Sequence, residues 1–582
     1  MREGYVLLTL NPDQQPIVIK RSWWRSWNRL SRLQKNLITT LSFFIIVVIF
    51  YKWIWNGGVQ LEEQYQIKPY TIALVNENKV VTAVPEKVEK KLNIKENVVD
   101  IPEQAQAPQA QVDQPVYFQQ MSRININSEI TDRQKAVVNA FKHAWRGYRK
   151  WAWGHDNLRP ISKKPSNWFK LGLSIVDSID TMHIMGLKEE LREAQDWVEH
   201  SLKFTEYNDV NLFEVTIRVL GGLLSAFHLT GESIYKDKAK DLGERLLPCF
   251  TQSPSPIPYS DVNLASHNAH SPGWGPDSST SEVTTIQLEF RDLSRITNDP
   301  KFEEAASKVS KHVHTLQKLD GLVPIFINPK NGLFQSYSDI KLGARGDSYY
   351  EYLVKQWIQT GKTIKYLHDD YVEAIKGVEK HLVNRTSKRK LLFIGELKGG
   401  SKDYVPKMDH LVCYLPGTLA LGYHHGLPES HMKLALDLLH TCYFTYADRP
   451  TFLAPEITYF SLQDDGRGEM YVKNSDAHNL LRPEFIESLW YIYQITGNTT
   501  FQDWGWEIFQ SIEKYAKVPD GYTSIGNVND PNDTKPKDMM ETFFLSETLK
   551  YFFLLFSNNR KLLDIDKYVV NSEGHPVPIY SS

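Results

Sequence analysis

From about residue 130 onward, the alternation of apolar and polar positions predicts a succession of hydrophobic helices interrupted by charge. In NDVNLFEVTIRVLGG (208–222), Glu214 and Arg218 stand one turn apart on one helical face among Val215, Ile217, Val219 and Leu220. Charges in an apolar wall are costly unless paired or used, and an ion pair that only fixes packing is the plain alternative. The pattern recurs, however. In GARGDSYYEYLVKQW, Arg345 and Asp347 precede an aromatic helix, with Glu351 one turn further on. In HNLLRPEFIESLWYIYQITG, Pro483 suits the first helical position and places Glu484 and Glu487 in the first turn, with Arg482 upstream. In KDMMETFFLSETLKYFFLLF, Asp538 and Glu541 have capping-box spacing. Capping accounts for Asp538 but not for two carboxylates and an arginine at 482–487. Asp180, Glu214, Glu282, Asp347, His410, Glu484 and Glu541 mark seven such segments. Their spacing suits helical hairpins with helices of about 11–20 residues. The regularity lies in spacing and not in residue identity.

The N-terminal region has a different pattern. Leu37 to Tyr51 carries no charge and the apolar run continues to Trp55, with Lys52 near its end. As a helix, residues 37–55 reach about 28 Å, close to the ~30 Å hydrocarbon core. Lys20, Arg21, Arg25, Arg29, Arg32 and Lys35 precede the run, and Glu62 and Glu63 follow it. The positive-inside rule then predicts a type II single-pass signal anchor. The cytoplasmic tail is 1–36, and 56–128 is a low-complexity luminal stem containing EQAQAPQAQVDQP. The globular domain is 129–582. A net charge of −2, with the basic cluster confined to the leader, argues against nucleic acid as a partner.

Helix heads carrying carboxylates and arginines, with aromatic residues nearby, suggest the rim of a pocket for a polyhydroxylated substrate. Paired carboxylates meet the needs of glycoside hydrolysis, an acid for the leaving oxygen and a base for the water. These motifs resemble the class I α-1,2-mannosidases, family 47 of the glycoside hydrolases. The matching blocks are AWGHDNLRP, NLFEVTIRVLGGLLSA, GARGDSYYEYLVKQWI, MDHLVCYLPGTLALG, HNLLRPEFIESLWY, QDWGWEIFQSI and METFFLSETLKY. They span about Ile130 to Ile579.

The resemblance implies an all-α (α/α)7 barrel, inverting hydrolysis of terminal α-1,2-mannose from high-mannose N-glycans on glycoproteins, and a calcium ion at the pocket floor. It places the general acid on Glu214, a second essential acid on Asp347 and the base on Glu484. Arg218, Arg345, Asp409, His410, Arg482, Glu487, Glu541 and Glu573 match sugar-pocket positions, and Glu282 fits the same wall. The family holds its calcium through a threonine, where this chain has Ser572 in NSEGHP. Serine keeps both oxygens and loses the methyl that restricts the rotamer, so calcium is expected to bind, though less tightly. His267 and His270 read as a loop, not a zinc site.

Cys413 and Cys442 match the family's disulfide, which leaves Cys249 free; on spacing alone, three thiols stay equally open. Sequons stand at Asn384, Asn498 and Asn532. Arginine at 345 resembles the endoplasmic reticulum type of the family, which points to removal of chiefly one mannose. The expected location is the endoplasmic reticulum membrane with a luminal catalytic domain, the Golgi membrane being the alternative. Two other functions fit parts of the pattern: a catalytically weak glycan-binding quality-control factor of the same fold, and an unrelated (α/α)-barrel glucan hydrolase or sugar epimerase.

Overall fold

A computed structural model describes residues 130–400, 403–464 and 466–580. The expected tail, anchor and stem lie outside the described residues.

The described chain is built mainly of helices that alternate between two kinds. One kind is amphipathic: α1 (Asp132–Trp151), α3 (Lys188–His200), α5 (Ser233–Leu246), α7 (Lys301–Thr315), α9 (Lys365–His381), α11 (Glu429–Ala447) and α13 (Thr500–Tyr515). The other kind is buried on nearly every face. These helices are α2 (173–184), α4 (Leu212–Thr230), α6 (280–297), α8 (Asp347–Gln359), α10 (410–424), α12 (Glu484–Thr496) and α14 (544–555). Most of them are apolar all round, while α6 also buries Gln287, Glu289, Arg291 and Asp292. Every residue of α8 after Asp347 is buried, whereas α3 buries only Ala194 and Val198.

Buried helices pack on one another in chain order, α2 on α4, then α6, α8, α10, α12 and α14, and α14 packs in turn on α2 and α1. Thr181 of α2 donates its hydroxyl to the Ser546 carbonyl of α14 at 3.1 Å. Among the described residues, α4 is the helix long and apolar enough to cross a membrane, but 89% of it is buried inside the domain. It is a core helix.

Two interruptions shape the interior. α4 widens into a π-turn over Thr216–Leu220, and α14 opens with another over Phe544–Thr548. A C-terminal hairpin, Tyr568–Val570 paired with Pro576–Pro578, pushes its tip into the core. Fully buried Asn571 at that tip donates Nδ2 to the Ile217 carbonyl in the α4 π-turn (2.9 Å) and to Glu289 (2.8 Å). Its Oδ1 accepts from the Glu573 and His575 amides. Gly221 makes room, since a Cβ there would stand 2.5 Å from Asn571 Nδ2.

Cys413 and Cys442 form a disulfide between α10 and α11, and Cys249 is buried and free. Asn498 and Asn532 are exposed, while Asn384 is half-buried in the strand Val383–Arg385, just after which the Thr386 hydroxyl donates to Glu469. His267 and His270 lie in a small hairpin.

The structure revises three expectations. Asp538 does not cap the helix that follows it. Its backbone turns left-handed (φ 54°) and its carboxylate accepts the Ile161 and Ser162 amides of a neighbouring loop. Pro483 sits at the N-cap of α12, one position earlier than expected. Asp180 faces a buried network of Lys550 (2.9 Å) and His575 (2.8 Å) beneath the floor, not the cavity.

Candidate active site

The heads of six buried helices meet at a cavity of about 350 Å³. Glu214 comes from the first turn of α4, Glu282 from that of α6, and Asp347 and Glu484 from the first positions of α8 and α12. Leu411 of α10 and Glu547 of α14 also line it. Converging N-termini supply positive partial charge that favours the carboxylates gathered there.

On one wall, the Asn211 side chain caps α4 by accepting the Glu214 amide at 3.0 Å, and its Nδ2 donates to Glu282 at 3.3 Å. Arg218 Nε donates to Glu214 at 2.9 Å, and its NH1 reaches Thr542 (3.0 Å) and, more tightly, Glu573. Burial pushes Glu282 upward. Arg345 lies 3.9 Å from Glu282 with its guanidinium over the rings of Trp274 (4.4 Å) and Phe326 (5.2 Å). Its backbone is left-handed (φ 75°), a conformation that costs a non-glycine residue energy and clusters at functional sites.

Glu484 also faces the cavity and is largely enclosed by protein, a desolvation that alone would raise its carboxyl. His410 Nδ1 at 2.8 Å and Arg482 nearby outweigh burial and hold it below the ordinary range. Arg482 is fixed by a bidentate pair with Glu456, at 2.7 and 2.8 Å. Asp347 faces the cavity but is enclosed by protein, and burial pushes its carboxyl up to about 7.

The floor is made of oxygens. Ser572 Oγ lies 3.4 Å from Glu351, and Lys355 bridges Glu351 (2.5 Å) and Glu487 (3.3 Å). Burial lifts Glu487 to about 7 against the pull of Lys355. Burial also raises Glu547 and Glu573 well above the usual range, and each is pushed further by neighbouring carboxylates. Crowded acids facing a cavity with a serine hydroxyl form an all-oxygen donor set, suited to a hard cation and not to zinc. The residues therefore fit calcium, whose charge would relieve their mutual repulsion.

The structure thus brings ten of the expected residues to one cavity: Glu214, Arg218, Glu282, Arg345, Asp347, Arg482, Glu484, Glu487, Ser572 and Glu573. Asp409, His410 and Glu541 do not line it. His410 is held between Glu484 and the Tyr446 hydroxyl, and Asp409 between Lys341 (3.1 Å) and Lys407 (3.3 Å). The α14 position that does line it is Glu547, with Phe543 beside it. Glu547, Glu351, Phe543 and Tyr414 are cavity residues that the sequence reading left out of the site. Glu547 carries the same signal as Glu214, a carboxylate inside an apolar run, here FLSETLKYFF.

Comparison with known proteins decides the family. The Glycosyl hydrolase family 47 profile matches residues 140–579. The chain belongs to this family. It is 46% identical to the human endoplasmic reticulum mannosyl-oligosaccharide 1,2-alpha-mannosidase over 98% of this chain and 91% of that protein. It is 55% identical to the rat protein of the same name over 77% of this chain and 68% of that one. Among solved structures, the alpha-1,2-mannosidase from Trichoderma reesei superposes with a TM-score of 0.72 at 27% identity, covering 77% of this chain and 99% of that one. Within family 47, the cavity between the helix heads is the candidate active site.

Proposed function

We propose that this family 47 member removes terminal α-1,2-linked mannose from high-mannose N-glycans of glycoproteins by calcium-dependent, inverting hydrolysis. The observation that carries the reading is the convergence of Glu214, Asp347 and Glu484 on one cavity with an oxygen-lined floor. The names of its relatives support it. The alternating helices are read as an (α/α)7 barrel with the even-numbered helices inside.

An inverting glycosidase needs a protonated acid and an ionised base, about 6.5–9.5 Å apart, with water between base and sugar. Glu484, kept ionised by His410 and Arg482, suits the base that takes the water's proton. Glu214 is assigned the acid that protonates the leaving oxygen. Burial raises the Asp347 carboxyl to about 7, which suits a group that holds a proton between turnovers. Ser572 would hold calcium through its hydroxyl and carbonyl, and Glu351, Glu487, Glu547 and Glu573 would hold the ion's waters. Bound there, calcium orients sugar hydroxyls and favours a distorted ring.

Arg345, stacked on Trp274 and Phe326, would limit trimming chiefly to one mannose. We place the chain in the endoplasmic reticulum membrane with the catalytic domain in the lumen, anchored by 37–55 and spaced by 56–128.

Glu214→Gln tests the assignment. The variant should bind a high-mannose glycan as the parent does while cleavage falls by about 10²–10⁴, the usual contribution of a general acid. Unchanged turnover would remove Glu214 from the acid role.

A further inference from the structure

α10 carries the wall residue Leu411 near its head, and its other end carries a group of side chains with a different chemistry. His424 closes the helix, His425 follows it, and Asp566 reaches them from the turn before strand Tyr568–Val570. One ligand atom from each of the three lies within 4.8 Å of the others. His424 Nε2 is 2.7 Å from Asp566 Oδ1, with side-chain exposures of 31% and 55%, so solvent reaches the pair. His425 Nε2, by contrast, is shut away from solvent with no hydrogen-bond partner. A buried ring nitrogen without a partner is a cost the fold carries unless something satisfies it.

We propose that His424, His425 and Asp566 form a second metal site, one that takes a borderline divalent ion of the zinc class and is separate from the catalytic pocket. Two imidazoles and one carboxylate are the ligands such ions prefer, whereas the pocket floor offers only oxygen. Ligand atoms about 3.3 Å apart surround a tetrahedral ion with bonds of about 2.0–2.1 Å. The group closes onto an ion by small ring rotations, and water completes the shell on the exposed side. In the metal-free protein His424 Nε2–H donates to Asp566; when Nε2 coordinates an ion that proton moves to Nδ1, so a neutral ring releases none. Lys362 donates to the His425 carbonyl at 2.8 Å, which fixes the backbone there, and a hydrogen bond between the ring and the Ile565 backbone orients the imidazole. An ion here ties the end of α10 to the turn leading into the hairpin that carries Ser572 and Glu573.

The full chain, purified without a histidine tag and kept in excess calcium, is titrated with zinc by equilibrium dialysis. One equivalent should bind at micromolar zinc and raise the melting temperature. His424→Gln and Asp566→Asn should each weaken that binding at least tenfold and abolish the thermal shift. On the unmutated chain, zinc should protect the peptide bearing His424 and His425 from diethylpyrocarbonate, read by mass spectrometry. No saturable binding, binding indifferent to both substitutions, or no protection of that peptide would overturn the proposal.

Discussion

Glu289 gives a prediction whose size follows from the structure. It is fully buried on α6, accepts the Tyr352 hydroxyl at 2.7 Å and Asn571 Nδ2 at 2.8 Å, and leaves its second oxygen without a partner. Burial outweighs both hydrogen bonds and lifts its carboxyl from 4.5 to about 7. An acid raised in the fold contributes stability that is complete below its unfolded value and is lost as pH rises through the folded one. At about 1.4 kcal/mol per pH unit, the interval amounts to roughly 3 kcal/mol. Glu289→Gln keeps an oxygen for Tyr352 and Asn571 and cannot ionise. At pH 5 it should lie within about 1 kcal/mol of the parent, since neutral acid and amide are similar in shape and bonding. At pH 8.5 it should be more stable than the parent by about 3 kcal/mol. Urea unfolding of both proteins at the two pH values, with the disulfide intact and chelator present throughout, measures the difference. Effects of Asp347 and Glu487 are common to both proteins and cancel. An equal pH dependence in parent and variant would refute a neutral Glu289 beneath the floor.

Gly221→Ala places a methyl 2.5 Å from Asn571 Nδ2, a short side chain that four hydrogen bonds hold in place. The expected loss is about 1–3 kcal/mol by overpacking, together with weaker calcium affinity as Ser572 shifts, measured by unfolding and by calcium titration. Replacing both Cys413 and Cys442 with serine opens a link across a sequence separation of 29. Chain entropy puts the cost at about 3–4 kcal/mol, visible as a lower urea midpoint under oxidising conditions.

Most of the buried helices were legible because their cause is local, apolar runs of helical length, and the spacing between them left room for a second helix in each hairpin. That the second helices are amphipathic and alternate with the buried ones came from the structure. The heads of α4, α8 and α12 were equally legible, because Glu214, Arg218, Asp347 and Glu484 stand out against apolar neighbours. What the sequence hides depends on contacts between distant segments. Asp538 has the spacing of a cap but serves residues 161 and 162, more than 370 positions away in the chain. Glu541 and Glu547 share one stretch, and nothing local shows that Glu547 lines the cavity while Glu541 stands near Arg218 and Arg482. His410 was placed at the pocket by resemblance, and its contacts to Glu484 and the Tyr446 hydroxyl are not visible in the sequence. The insertion of Asn571 between the α4 π-turn and Glu289 has no local signature, because its partners come from two other helices.

The most direct measurement incubates the full chain with a high-mannose N-glycan, with and without a calcium chelator, and resolves the products by mass. Loss of one mannose, abolished by the chelator and restored by added calcium, is the expected result. Binding without release, or cleavage indifferent to the chelator, would contradict it: the first removes the hydrolase, the second the oxygen-lined calcium floor.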